Sequence, residues 1–249
     1  MSLEFLIILF FVTAFLYSMV GFGGGSTYLA LLVLFAIPYE MIPNTALICN
    51  IIVVSGGCYF FIKERHFSFR IMLPFLLTSI PFAFLGGRVP VSKTIFFLLL
   101  GFSLLIASLR MFFSDKEKQT AVQVSNRQLW RCGLPLGAAL GFLSGLTGIG
   151  GGIFLAPLLY LLGWAPARTI AAGASFFIFV NSASGLLGQL IKRSFVLDWQ
   201  LIFPLAIAVF IGGQIGSRFS SQKLNTDILK KLTATLVFFV SVRIFLTLL

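Results

Sequence analysis

Two clusters hold the residues whose type and spacing carry the clearest chemistry. Gly21, Gly23, Gly24 and Gly25 stand in "GFGGGSTYLALL", and Gly148, Gly150, Gly151 and Gly152 stand in "GIGGGIFLAPLL". A glycine-rich turn that opens a helix presents bare backbone N–H groups and the positive end of the helix dipole, which together favour an anion. Glycine also permits positive φ and lets a solute touch the backbone directly. Close helix packing is the competing use of such glycines. Packing does not call for three glycines in a row, which weaken a helix. Neither cluster follows a strand-like run or contains the lysine of a phosphate-binding loop, so a soluble nucleotide site is excluded.

Side chains of the right type follow both clusters. Asn50, Ser175, Asn181 and Ser182 lie inside apolar runs, where each polar group needs a partner or a solute. Ser175 and Ser182 are two helical turns apart and share a face that Gln189 continues. Amide and hydroxyl donors suit an oxyanion without a buried full charge, although hydrogen bonding between helices is an equal use for any one serine. Catalytic chemistry finds no support. Ser26 has no base, because the single histidine, His66, sits in a basic loop. All seven carboxylates, Glu4, Glu40, Glu64, Asp115, Glu117, Asp198 and Asp227, fall at ends or connections. Cys49, Cys58 and Cys132 lack ligand spacing, so no metal and no cofactor is expected.

The elements that must position these residues are membrane helices. Of 249 residues 59% are hydrophobic and only 10% charged. Apolar runs cover 26–37, 44–62, 71–87, 94–113, 132–147, 153–165, 169–191, 199–217 and 232–249, most of them near the ~20 residues that a crossing helix needs. The opening residues 1–20 lack a basic n-region and an evident cleavage site, and are expected to be a retained span. The fold class is therefore all-α, a polytopic membrane protein with about 8–10 membrane segments. Its net charge of +11 resides in short connections such as "KERHFSFR" and "IKRSF". That is a topology signal facing the lipid bilayer and points to no nucleic acid. Homo-oligomerisation is left open.

A polar linker, 114–129, separates residues 1–113 from residues 130–249, and the two parts align. Pro38 answers Pro166, Gly57 answers Gly185, and Gly86–Gly87 answer Gly212–Gly213. Each half has a glycine-broken opening whose second arm, 26–37 in the first half, is too short to cross alone at ~1.5 Å per residue. If that opening turns back to its own side, most of the 18 basic residues share one face. Five membrane elements per half then make the repeats inverted, which brings the broken helices together at the midplane around a transported anion. No carboxylate lies at mid-membrane to relay protons, so the expectation is movement driven by the membrane potential.

The two glycine motifs, together with "ASFFIFVNSASG", "LIKRSFVLDW" and "FIGGQIGSRFS", resemble the TauE/SafE family of sulfite and organosulfonate exporters over nearly the whole chain. The resemblance implies export of a small sulfur-containing anion across a bacterial inner membrane. The first half departs from the family pattern at "LALL", "NTALICN" and "GGRVPVS", which bears on the substrate more than on the fold. An accessory membrane subunit without flux of its own is the alternative class, and an intramembrane enzyme a remote one.

Overall fold

A computed structural model describes residues 2–19, 22–63, 66–112, 124–192 and 195–218, with 234–235, 237–239, 241–242 and 244–246 near the end of the chain. Long apolar sequences with few β-branched clusters fold here as helices: α1 (Leu3–Ser18), α2 (Gly25–Leu34), α3 (Ile42–Lys63), α4 (Phe69–Arg88), α5 (Lys93–Phe112), α6 (Asn126–Thr147), α7 (Gly152–Leu162), α8 (Ala167–Leu190) and α9 (Trp199–Arg218). Five stretches, Ile42–Phe60, Phe69–Arg88, Asn126–Thr147, Arg168–Leu190 and Trp199–Arg218, are long and apolar enough to cross a membrane. Leu3–Ser18, Gly25–Leu34, Lys93–Ile106 and Val237–Leu246 are shorter apolar helices. Large side chains such as Trp199, Phe203 and Phe69 stand about two-thirds exposed on the outer faces, as lipid contact requires. The chain is an all-α polytopic membrane protein.

α6 begins at Asn126, inside the stretch 114–129 expected to be linker. Arg70 Nε donates to Asn126 Oδ1 at 2.9 Å, tying that end to the start of α4. Residues 113–123 lie outside those described.

The pairing of helices has a pattern. α1 packs on α9 and α4 on α6; α4 packs on α8 and α3 on α9; α2 packs on α3 and α7 on α8; α3 and α8 face each other. Exchanging α1 with α6, α2 with α7, α3 with α8 and α4 with α9 maps each of these contacts onto another. Ser241 Oγ reaches the Gly101 carbonyl of α5 at 2.9 Å, which brings the Val237–Leu246 helix beside α5. The α4–α6 contact is the closest. Gly133, Gly137, Gly141 and Gly145 recur every fourth residue along α6 and press on α4, where a Cβ on Gly145 would overlap the Ala83 carbonyl oxygen. Pro74, Pro81, Pro135 and Pro204 lie inside three of the helices. Thr78 Oγ1 donates to the Leu134 carbonyl, next to Pro135, at 2.7 Å.

The apolar interior divides in two. One cluster gathers Phe10, Tyr28, Leu29, Val53 and Leu205 around α2, and the other gathers Met72, Phe75, Leu155, Leu159 and Phe177 around α7. The two clusters meet at the glycine ends, where Ile153 and Phe154 of α7 pack on the first and Phe22 packs on the second.

Candidate functional site: the junction of the two glycine loops

Both short helices start from glycines that no other residue replaces without strain. Gly24, the N-cap of α2, has φ 78°, and its counterpart Gly151 before α7 has φ 74°. Gly148 closes α6 at φ 85°, and Gly150 stands at φ 86°. A left-handed residue costs any side chain with a Cβ roughly 1–2 kcal/mol. Gly21 lies outside the described residues.

The loops meet. A Cβ on Gly25 would overlap the carbonyl oxygen of Ile149, so backbone touches backbone across the two halves. Asn50, fully buried on α3, lies between them. Its Nδ2 donates to the carbonyls of Gly148 at 3.1 Å and Ile149 at 3.4 Å. Its Oδ1 is 3.3 Å from where a Cβ on Gly23 would sit and 2.9 Å from one on Gly25. On the other side, Ile178 of α8 lies 3.3 Å from the Cβ position of Gly23, 3.0 Å from that of Gly150 and 2.5 Å from that of Gly152. Val54 Cγ1 lies 3.0 Å from the Cβ position of Gly23, and Ser182 Oγ comes within 3.3 Å of the Cβ position of Gly150.

Several polar atoms here are buried without a hydrogen-bond partner: Asn50 Oδ1, Ser26 Oγ, Tyr28 OH, Ser182 Oγ and Asn181 Oδ1. Burying an unsatisfied polar group costs about 1–3 kcal/mol, and these five on the two helix starts and the facing spans leave hydrogen-bonding capacity for a solute or for water; Asn44 Oδ1, Thr45 Oγ1, Ser79 Oγ and Ser144 Oγ are in the same state elsewhere. The first N–H groups of α2 and α7 have no acceptor within their own helices either. Amides, hydroxyls and bare N–H groups together hold an oxyanion by directed hydrogen bonds and two helix dipoles.

Of the residues expected from the sequence, Gly23, Gly24, Gly25, Gly148, Gly150, Gly151, Gly152, Asn50 and Ser182 come together at this junction. Asn181 is turned elsewhere in part, its Nδ2 donating to the Phe177 carbonyl one turn back at 2.8 Å. Ser175 is buried on α8, two turns before Ser182. Gln189, further along that helix, donates to the Gly145 carbonyl at 3.0 Å and so braces the α6–α8 contact.

The description "Sulfite exporter TauE/SafE" belongs to a family model that matches residues 6–244. The chain belongs to the TauE/SafE family. It is 33% identical over 236 residues to the probable membrane transporter protein y4hK of Sinorhizobium fredii (strain NBRC 101917 / NGR234), covering 93% of this chain and 94% of that relative. It is 22% identical over 253 residues to the probable membrane transporter protein YunE of Bacillus subtilis (strain 168), covering 91% of each. No solved structure matches the chain. It is thus an integral membrane protein and a membrane transporter.

In this TauE/SafE transporter the sequence expectations omit Val54, Ile178 and Tyr28, all at the junction. A signal for two of them exists. The register that pairs Pro38 with Pro166 and Gly57 with Gly185 also pairs Asn50 with Ile178 and Val54 with Ser182. The junction is therefore pseudosymmetric in position, with its polar side chains set diagonally: Asn50 from one half and Ser182 from the other.

Proposed function

We propose that this TauE/SafE transporter exports a small sulfur-containing oxyanion, sulfite or a sulfonate, across the bacterial inner membrane, and that the paired glycine loops are its seat. The observation that carries the proposal is the meeting of the two loops around Asn50, with partnerless buried hydroxyl and amide atoms at both helix starts. An incoming solute would supply partners for those atoms. Site residues on this account are Gly23, Gly24, Gly25, Gly148, Gly150, Gly151, Gly152, Asn50, Ser182 and, more peripherally, Ser175 and Asn181. A division into two repeats, about 1–113 and from α6 to 249, is supported by the helix contacts, which map onto themselves when the halves are exchanged; their opposite orientation is part of the proposal. Rocking one half against the other around a fixed central site is how such repeats alternate access. An inside-negative potential assists outward movement of an anion by about 2.3 kcal/mol per charge per 100 mV.

The test is efflux from proteoliposomes loaded in turn with sulfite, a short alkylsulfonate, sulfate and chloride. Saturable efflux of sulfite or the sulfonate above protein-free vesicles is expected. Purified protein that moves none of the four would favour the accessory-subunit class instead.

A further inference from the structure

The two glycine loops share a spelling but are served differently, and among the described residues Asn50 hydrogen-bonds across from the first half to the second loop. Its Nδ2 grips the carbonyls of Gly148 and Ile149, the residues where α6 gives way to the second loop. Its Oδ1 has no partner and lies by the first loop, 3.3 Å from the Cβ position of Gly23 and 2.9 Å from that of Gly25, to which Nδ2 is as near at 2.8 Å. At that first loop, Ser26 is 2% exposed with a partnerless hydroxyl at the second position of α2, and the equally partnerless Tyr28 hydroxyl is 3.3 Å from the Cβ position of Gly24. The second loop keeps one such atom, the partnerless Ser182 hydroxyl 3.3 Å from the Cβ position of Gly150, and the start of α7 beyond it is apolar. Ile153, Phe154 and Leu155 follow it in sequence, the Phe177 ring lies 2.8 Å from the Cβ position of Gly151, and Ile178 covers Gly152. The residue matching Asn50 in the second half is Ile178, which cannot grip anything.

We propose that Asn50 is a latch between the halves: an anion seated at the first loop, on the N–H groups of Gly25 to Thr27 and the hydroxyls of Ser26 and Tyr28, draws the Asn50 donor away from the Gly148 and Ile149 carbonyls and so releases the second loop. The physical reason is a competition for one NH2 group, whose two donors now go to the two carbonyls. An anionic oxygen accepts a stronger hydrogen bond than a neutral carbonyl, and Oδ1 as it stands would repel an anion at the first loop. Turning the amide over removes the repulsion, supplies a donor to the anion and frees both carbonyls in one movement. The second loop then acts as the movable side of the paired seat, its helix start covered for the most part by Phe177 and Ile178. Asn50 is a positioning residue for that movable side. The inference rests on the proposed anion seat, but its first test does not need an anion.

Hydrogen–deuterium exchange of the purified full chain, followed in a peptide covering residues 146–154, reads the latch directly. Asn50→Leu keeps the volume and loses the donor; Asn50→Ser is a second variant in case the first fails to fold. In the absence of any anion, each folded variant is expected to exchange this peptide about tenfold faster than wild type, with the α4–α6 peptides unchanged. In wild type, millimolar sulfite is expected to accelerate exchange in the same peptide, and in the Asn50 variants to add nothing. Unchanged exchange at 146–154 in a folded Asn50 variant overturns the latch, whatever the flux assay gives. Faster exchange in the variants, in a protein that transports neither sulfite nor sulfonate, retains the latch and overturns the proposed substrate.

Discussion

At the first glycine loop the chain turns into Ser26, Thr27 and Tyr28, all buried, with the Tyr17 and Thr27 hydroxyls sharing a hydrogen bond at 3.0 Å and the Tyr28 ring stacked on Phe10 at 4.6 Å. At the second loop the same five-residue pattern turns into Ile153, Phe154 and Leu155 and is covered by Phe177 and Ile178. Among the described glycines, the first loop has one left-handed residue, Gly24, and the second has three, Gly148, Gly150 and Gly151. The glycines therefore set the path of the chain, while their neighbours decide whether the helix start that follows meets polar or apolar surroundings. A similar contrast separates the helix contacts that carry the loops. On one side α6 supplies four glycines to α4; on the other, α9 supplies Gly212 and Gly216 to α1 at Phe11 and Phe15.

The strongest way to break this comparison is to remove a glycine that carries the scaffold. Gly145→Leu drives a side chain into the Ala83 carbonyl and the Gly87 amide, and is expected to cost about 3 kcal/mol, the upper end of overpacking. The measurement is recovery of monodisperse protein from detergent, and near-complete loss is expected. Next come the matched loop variants Gly24→Val and Gly151→Val. Both place a β-branched residue at positive φ, at roughly 1–2 kcal/mol, and both should abolish sulfite efflux while the protein remains inserted and folded. The Gly151 variant should also melt lower than the Gly24 variant, because its new side chain meets the Phe177 ring at 2.8 Å whereas at Gly24 the nearest atom is Thr13 Cγ2 at 3.0 Å. Equal melting temperatures in the two variants would contradict the difference in surroundings.

How much of this was legible in the sequence follows from the range of each interaction. The apolar runs and the broken openings were legible, because helix length and glycine position are local properties. The meeting of the loops was legible only through the repetition of "GGG", since a duplicated break has a use when the two copies meet. The grip of Asn50 on Gly148 was not, because a hydrogen bond between residues so far apart in the chain leaves no spacing signal. Ile178 was passed over for a similar reason: it looks like any apolar residue of a span, and its importance lies in being where the other half has Asn50. Asn181 divides its amide: Nδ2 finds the Phe177 carbonyl of its own helix, an option that every asparagine within a helix has, while Oδ1 has no partner.

Smaller changes sharpen the same comparison. Ser182→Val removes a partnerless hydroxyl near Gly150 and is expected to raise the apparent KM for sulfite by about fivefold, the equivalent of one ordinary hydrogen bond. Ile178→Val deletes one methylene from the packing on Gly152, for which a loss of about 0.5–1.5 kcal/mol in stability is expected, with efflux within about twofold of wild type. An efflux defect in the Ile178 variant larger than that in the Ser182 variant would reverse the assignment of polar and apolar roles across the junction.

The central claim, that the contact between the two loops is where the anion passes, is tested most directly by sulfite efflux from proteoliposomes carrying either wild-type protein or Gly25→Val under an inside-negative potential. In the variant the new side chain lies in the Ile149 carbonyl and within 3 Å of both polar atoms of Asn50, so the loops are held apart. Wild-type efflux that rises with the imposed potential, beside variant efflux at the level of protein-free vesicles with an unchanged elution profile, is the predicted result. Equal efflux from the two proteins would contradict the claim.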